Sequence, residues 1–381
     1  MVQDYLHLHK YLHIAEITEM YLSISLRSFA IALLGVFTPA ILLANNYSIY
    51  DVFLFYILLS AFGGVAFIIG MWIMHHIGIK HTMLLNIPFL ITFFYFIFTI
   101  DSGWSIVYIA LAEGAAGGLF WAGFHVEFAQ LQNLKKSGAQ IGFINSLTQS
   151  FGVIAPIVGG VVLFLFGVQA IAIFCATLAI LSGIPLLLTK DHTLKKIVHP
   201  KDLLHDFSLK RAIVFFSEGV REKTATVFWP MYITLAGVGV VALGGIFSIV
   251  RVVTIISNTV IGKLSDKIHP HKILKFGTIV HSITMALRGF MHSAGAFLAI
   301  TSVGGLSYVA LNLPLQKMWY THAKYLGPIY LMRRELYLQV GRITIMTIGL
   351  VGYFLSQSYV VSALVVFGCS AVATLCLNYM D

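Results

Sequence analysis

Charge is what this sequence has least of. Only 10% of its 381 residues are Asp, Glu, Lys or Arg, against about 25% in an ordinary soluble domain. That scarcity excludes a water-facing surface along most of the chain. Cysteine is sparse too, with Cys175, Cys369 and Cys376 all inside long apolar runs. Cys369 and Cys376 stand two helical turns apart and cannot bridge within one helix. All three read as buried thiols, and no disulfide framework is expected. The first thirteen residues are polar and His-rich, and the apolar run that follows is too long for a cleaved signal core. Phosphate-cradling loops, hydrolase elbows and metalloprotease helices are missing as well. No helical face pairs a nucleophile with a base, so an enzyme is not expected. Gly117–Gly118 and Gly244–Gly245 lie within apolar runs and read as packing glycines.

What the chain does contain is apolar surface. Hydrophobic residues make up 59% and the mean hydropathy is +0.89. Runs of about 20 such residues cross a hydrocarbon core of ~30 Å. Twelve spans are expected near 19–44, 51–73, 82–100, 104–128, 141–166, 168–189, 211–236, 240–262, 273–292, 295–316, 335–356 and 358–378. The fold class is thus an all-α polytopic membrane protein.

Lys and Arg concentrate in the N-terminal tail, in alternate loops and at their helix ends, from Lys10 and Lys80 through Lys135, Lys190 and Lys263 to Arg333 and Arg334. The intervening loops are a few residues long and carry none. By the positive-inside rule both termini are expected in the cytoplasm, with the protein in an inner or plasma membrane. The net charge of +9 then reports topology, and no nucleic-acid partner is expected. The expected surroundings are lipid, a small-molecule substrate and a monomeric state. Arg27, Arg221, Lys223, Arg251, Arg288 and Arg342 fall within spans.

The longest basic connection, 190–210, divides the chain into halves at 1–189 and 211–381. Their punctuation matches: "GVFTP" (35–39) with "TVFWP" (226–230), Gly70 with Gly262, Gly103 with Gly295. Two such halves mark a repeat-built transporter with its site near mid-membrane between them. "GKLSDKIHPHK" (262–272) resembles the loop motif of the major facilitator superfamily, Gly-x-Leu-Ser/Ala-Asp-Arg/Lys-x-Gly-Arg-Arg/Lys. Gly262, Leu264, Ser265, Asp266 and Lys267 match, and His269–Pro270 replace Gly–Arg. The N-half copy, "GMWIMHHIGIKH", has Met74 where the Asp belongs. "APIVGG" (155–160) is similar to the Gly-Pro-x-x-Gly-Gly element of proton-coupled antiporters, with Ala155 for the first Gly. The resemblance implies a facilitator-type fold of twelve helices in two pseudo-symmetric halves. It also implies a cavity lined by spans 1, 4, 7 and 10 with 2, 5, 8 and 11 beside them. A carboxylate at Asp266 can cap the N-terminus of a facing helix, such as the fifth span, so Gly262, Asp266 and Lys267 are the expected gating residues.

An ionised side chain in mid-bilayer is expensive, at least ~2.5–3.5 kcal/mol on insertion scales. Yet the seventh span places Glu218, Arg221, Glu222 and Lys223 within six residues. At 100° per residue the first three share a face, extended by Trp229. Arg221 is therefore expected to pair with both carboxylates, and Lys223 to point away and snorkel to the cytoplasmic interface. The eleventh span repeats the pattern with Glu335, Gln339 and Arg342. Arg27, Trp121, Asn145, Gln149, Arg251 and Asn312 fall on other spans implied to line the cavity. Together with Arg221, Trp229, Gln339 and Arg342 they form the expected substrate-binding set. Glu113, with no charged neighbour within a turn, and Glu218 and Glu222 are the expected proton carriers.

His9 and His13 stand one turn apart, but no third ligand completes a site, and no metal or other cofactor is expected. The tail is expected to form an interfacial helix. The function expected is secondary active transport of a small organic solute, with anionic character favoured by the deep arginines, powered by a proton gradient. Export of amphiphilic compounds by proton antiport and divalent-metal transport are the alternatives. A channel fits the repeat and the loop motif poorly.

Overall fold

The computed structural model describes residues 2–35, 38–194, 203, 208–238 and 240–380. Much of the expected linker at 190–210, and residues 36 and 37 of the first repeat match, lie outside the described residues. The described helices group into twelve rods. The first comprises α1 (Val2–Gly35) and α2 (Thr38–Ala44), the second α3 (Ile49–Ile77), the third α4 (Ile79–Leu84) with α5 (Asn86–Phe98), and the fourth α6 (Ile106–Leu131). The fifth and sixth are one long element, α7 (Ser137–Gly183), broken at Gly167. The seventh runs α8 (Leu209–Lys223), a π-helical turn (Thr224–Phe228) and α9 (Trp229–Leu235). Then follow α10 (Val240–Ser265), α11 (Pro270–Leu287), α12 (Ala294–Leu326), α13 (Pro328–Ser356) and α14 (Tyr359–Cys376). Among the described residues, nine helices are long and apolar enough to cross a membrane by length and composition alone. The seventh rod, with Glu218, Arg221, Glu222 and Lys223 among its charges, is not one of them.

Several boundaries differ from the sequence expectation for one reason: helices continue past the apolar run when their polar ends still find partners. The tail is continuous with the first rod and is not a separate interfacial helix. Lys317, Lys324, Arg333 and Arg334 lie inside helices, because Gly327 alone joins α12 to α13. Its φ of 80° makes a turn that a side chain would strain.

Within the C-terminal half, α8 and α13 pack backbone to backbone. A Cβ on Gly219 would stand 2.1 Å from the Leu338 carbonyl oxygen, and one on Gly341 2.0 Å from that of Phe216. Small residues at such crossings are how membrane helices approach closely. Between the halves, α7 meets α10 in the same way. Gly138 and Gly142 face Gly262 and the Asn258 carbonyl, and Ser146 Oγ donates to Ile255 O at 3.1 Å.

The halves are tied unequally at their two ends. At the end bearing the basic loops, Gln132 Nε2 donates to Tyr320 O at 2.8 Å and Lys324 Nζ to Gln132 O at 2.7 Å. There too Asp266 accepts from the N–H groups of Gly138 and Ala139, each at 2.9 Å. That is a helix N-terminus of one half capped by a carboxylate of the other. At the opposite end the contacts are ring packing, Phe53 with Phe228 at 5.6 Å and Tyr50 with Tyr353 at 5.4 Å.

On the N-half, Asp191 does comparable work within its own half. It accepts from the backbone N–H of Lys80 and of His81, each at 2.9 Å, and meets His81 Nδ1 at 2.6 Å. Gly78, at φ +103°, leaves the space for it, since a Cβ would fall on the carboxylate. Burial pushes Asp191 up, but the N–H donors of Lys80, His81 and His192 outweigh it and hold the carboxyl below its ordinary 3.8.

Two outcomes are expected. Gly219→Ala should lower detergent stability by about 1–3 kcal/mol through overpacking, while Gly368→Ala, with nothing within 4 Å, should not; equal melting of both variants would refute the close crossing. The Asp191 carboxylate has a lowered folded value, so its contribution is present above 3.8 and is lost as pH falls through the folded value. Melting curves should therefore show a steeper acid limb for wild type than for Asp191→Asn.

Candidate functional site

A cavity of about 470 Å³ opens between the halves at mid-height. Spans 1, 2, 4, 7 and 11 supply its described lining. Arg27 and Ser28 come from α1, Tyr56 and Gly63 from α3, Glu113, Gly117 and Trp121 from α6. Glu222, Lys223 and Thr226 come from the seventh rod, and Glu335, Gln339 and Arg342 from α13. Below it, toward the basic end, lies a second pocket of about 200 Å³ lined by Trp121, His125, Asn145, Gln316 and Tyr320.

The charges around the upper cavity are not equivalent. Arg342 donates from Nη2 and Nε to Glu222 Oε2, at 2.5 and 3.1 Å, and its Nη1 lies 3.7 Å from Glu335. Arg334 Nη1 stands 3.6 Å from Glu335 and its Nη2 donates to Glu218 at 2.9 Å. The result is an alternating ladder, Glu218–Arg334–Glu335–Arg342–Glu222, pressed between α8 and α13 by their glycine crossing. Removing one member of such a buried pair costs about 3–5 kcal/mol, because the other is left bare. Arg27 donates to Asn86 Oδ1 at 3.2 Å and covers the Phe120 ring at 4.2 Å.

Glu113 and Lys223 stand apart from that ladder. Both line the cavity. Lys223 Nζ lies 5.1 Å from the Tyr56 ring centroid. Among the described residues neither makes a hydrogen bond or an ion pair, although Glu113 lies within electrostatic range of Lys223 and Arg27.

Several expected positions fall elsewhere. Arg221 does not pair with Glu218 or Glu222; it turns behind the cavity, 3.5 Å from Asn312 Oδ1. The reason is helical geometry. Arg221 and Lys223 are roughly 200° apart at about 100° per residue, so both cannot face one cavity, and Glu222, Lys223 and Thr226 take that arc. Lys223 accordingly does not snorkel. Trp229 is in the C-half core, donating to Thr301 at 3.1 Å, and Glu218 is in the ladder. Arg251 packs against Gly152, and Gln149 accepts from Thr254 at 2.8 Å in the interface between halves. Asn145 donates to Gln316 at 3.0 Å at the lower pocket. Asp266 also receives Lys317 Nζ at 2.6 Å, Gly262 lies in the same interface, and among the described residues the Lys267 side chain meets no partner. The side chains of His9 and His13 lie outside the described residues. Among those described, no three His, Cys, Asp or Glu converge.

Sequence reading passed over Tyr56 and the Arg334 rung of the ladder. Arg334 follows Arg333 and looked like loop charge; only its i+1 neighbour Glu335 hinted otherwise.

Solved structures share this architecture. The human organic anion transporter MFSD10 (TETRAN) superposes with a TM-score of 0.71 at 13% identity, covering 97% of this chain and 99% of that one. FucP, the E. coli fucose:proton symporter, matches in its outward conformation at 0.72 and 12%, covering 97% and 99%. A bacterial homologue of the iron transporter ferroportin, in the outward-facing state, matches at 0.72 and 14%, covering 95% and 97%. At such identities the likeness is one of fold. No curated protein sequence matches significantly. The sequence itself matches the Major Facilitator Superfamily over residues 20–330, most of its length. The chain is thus an integral membrane transporter, not an enzyme, and belongs to the Major Facilitator Superfamily.

Proposed function

We propose that this transporter moves a small organic solute bearing an anionic group through the upper cavity by alternating access, coupled to protons. One observation carries the reading: Lys223 and Glu113 face the same cavity with opposite charges and without ion-pair partners among the described residues. An ammonium left this way is a ready counter-charge for a carboxylate or phosphate. A carboxylate left this way, in a low-dielectric site, is the group whose proton affinity a nearby cation or substrate can change. The ladder members Glu222 and Arg342 border the cavity and hold α8 against α13 while the halves rock.

By the positive-inside rule the basic end, where Asp266 caps α7, is the cytoplasmic side of an inner or plasma membrane. Hydrogen-bonded contacts there and the buried Phe53–Phe228 packing opposite support a form in which the halves meet at both ends of the cavity. A second reading, proton antiport of amphiphilic compounds, draws support from Trp121, which stacks on His125 at 5.1 Å between the two pockets.

Ligands are found by thermal shift of the purified protein at pH 5.5 and 7.5 against organic anions, lipophilic cations and divalent metals. Organic anions should stabilise wild type, and Lys223→Gln should weaken their binding tenfold or more, about 1.4 kcal/mol. Stabilisation by lipophilic cations alone would replace this reading with the amphiphile one. In proteoliposomes, Glu113→Gln should keep substrate exchange but lose transport driven by a pH gradient. Gradient-driven uptake at the wild-type rate would remove Glu113 from coupling.

A further inference from the structure

Among the described residues, neither Arg221 nor Arg288, both deep in the C-terminal half, makes an ion pair. Arg221 is 2% exposed, Arg288 4%, and His281 1%. The guanidinium of Arg221 lies 4.9 Å from the Tyr308 ring centroid, and that of Arg288 4.8 Å from the Trp229 ring. Among the described residues, Nε and Nη1 of both arginines lack hydrogen-bond partners, as does Nε2 of His281. His281 Nδ1 is 3.0 Å from Ser307 Oγ, which donates onward to Gly304 O. These groups belong to α8, to α11 and to the short turn after it (Arg288–Phe290), and they face α12. Arg221, Arg288 and His281 lie within electrostatic range of one another.

The nearby carboxylates are already engaged, Glu218 with Arg334 and Glu222 with Arg342. Aromatic faces attract a cation but carry no net charge to neutralise it. Buried charges persist when they are paired, and among the described residues this cluster has donors to spare and no carboxylate bonded to it, Glu222 being in electrostatic range of Arg221 but held by Arg342. Gly304 lets the Arg288 guanidinium lie close against α12, since a Cβ there would touch Nη2 at 3.4 Å.

We propose that a small inorganic monoanion, of the size and charge of chloride, binds within the C-terminal half between α8, α11 and α12, held by Arg221 and Arg288. This site is separate from the transport cavity, whose described lining includes neither arginine. Close packing of the guanidinium groups on Tyr308, Trp229 and Gly304 suits a monatomic ion better than an organic anion. Bound there, the ion neutralises repulsion between the arginines and ties the seventh rod to α11.

Thermal unfolding of the purified protein is measured in sodium chloride and in sodium gluconate at equal ionic strength. The melting temperature should rise saturably with chloride, by several degrees, with bromide substituting, and the rise should vanish in Arg288→Met. Identical melting in both salts, or an undiminished chloride response in Arg288→Met, overturns the assignment. Should that variant not fold, wild type still decides: bromide beside Arg288 would quench Trp229. Saturable quenching relieved by chloride supports the site, and quenching that stays linear and indifferent to chloride refutes it.

Discussion

An ionised group in a medium of low dielectric constant must find its opposite nearby, and most of this structure follows from that requirement. Hydrophobic matching does little to orient helices in lipid, because their apolar faces meet lipid as readily as each other. Charge does orient them. The ladder from Glu218 to Glu222 sets the rotation of α8 against α13, and Lys80 paired with Glu19 at 2.8 Å ties α4 to α1. Gly219 and Gly341 bring the backbones near enough for the ladder to form. The sequence places its few charges where they decide register.

Architecture was readable because it depends on quantities that add along the chain. Apolar runs, the alternation of basic loops and the matching halves each sum over many residues, so the twelve rods and the two-halved fold follow from them. Boundaries were less readable, since a helix ends where its last polar group loses a partner and not where hydropathy falls. Gly327, a one-residue connection between α12 and α13, gave no hydropathy signal.

The site was legible at the level of which spans are polar and largely illegible at the level of which residue touches which. Pairing Arg221 with carboxylates of its own helix was reasonable at i, i+3 spacing, yet α13 supplies competing arginines that no local pattern reveals. The π-helical turn before Pro230 likewise has no period of its own in the sequence, although Thr224 and Thr226 bonding back to Val220 and Glu222 carbonyls at 2.9 Å show how the widened turn is held. Asp266 was different. Its target, the backbone N–H groups at the start of a helix, is available at every helix start, and its motif specifies the loop that carries it.

That carboxylate has a second property. Asp266 is shared between the start of α7 in one half and Lys317 of its own half. If the halves separate, the amides of Gly138 and Ala139 pass to water, while the carboxylate keeps its ammonium. Release exposes no uncompensated charge at Asp266, so what this residue adds to the cost of parting is two amide hydrogen bonds and not an ion pair. A clasp built this way joins the halves without stranding a charge when they part, because its ion pair lies wholly within one of them.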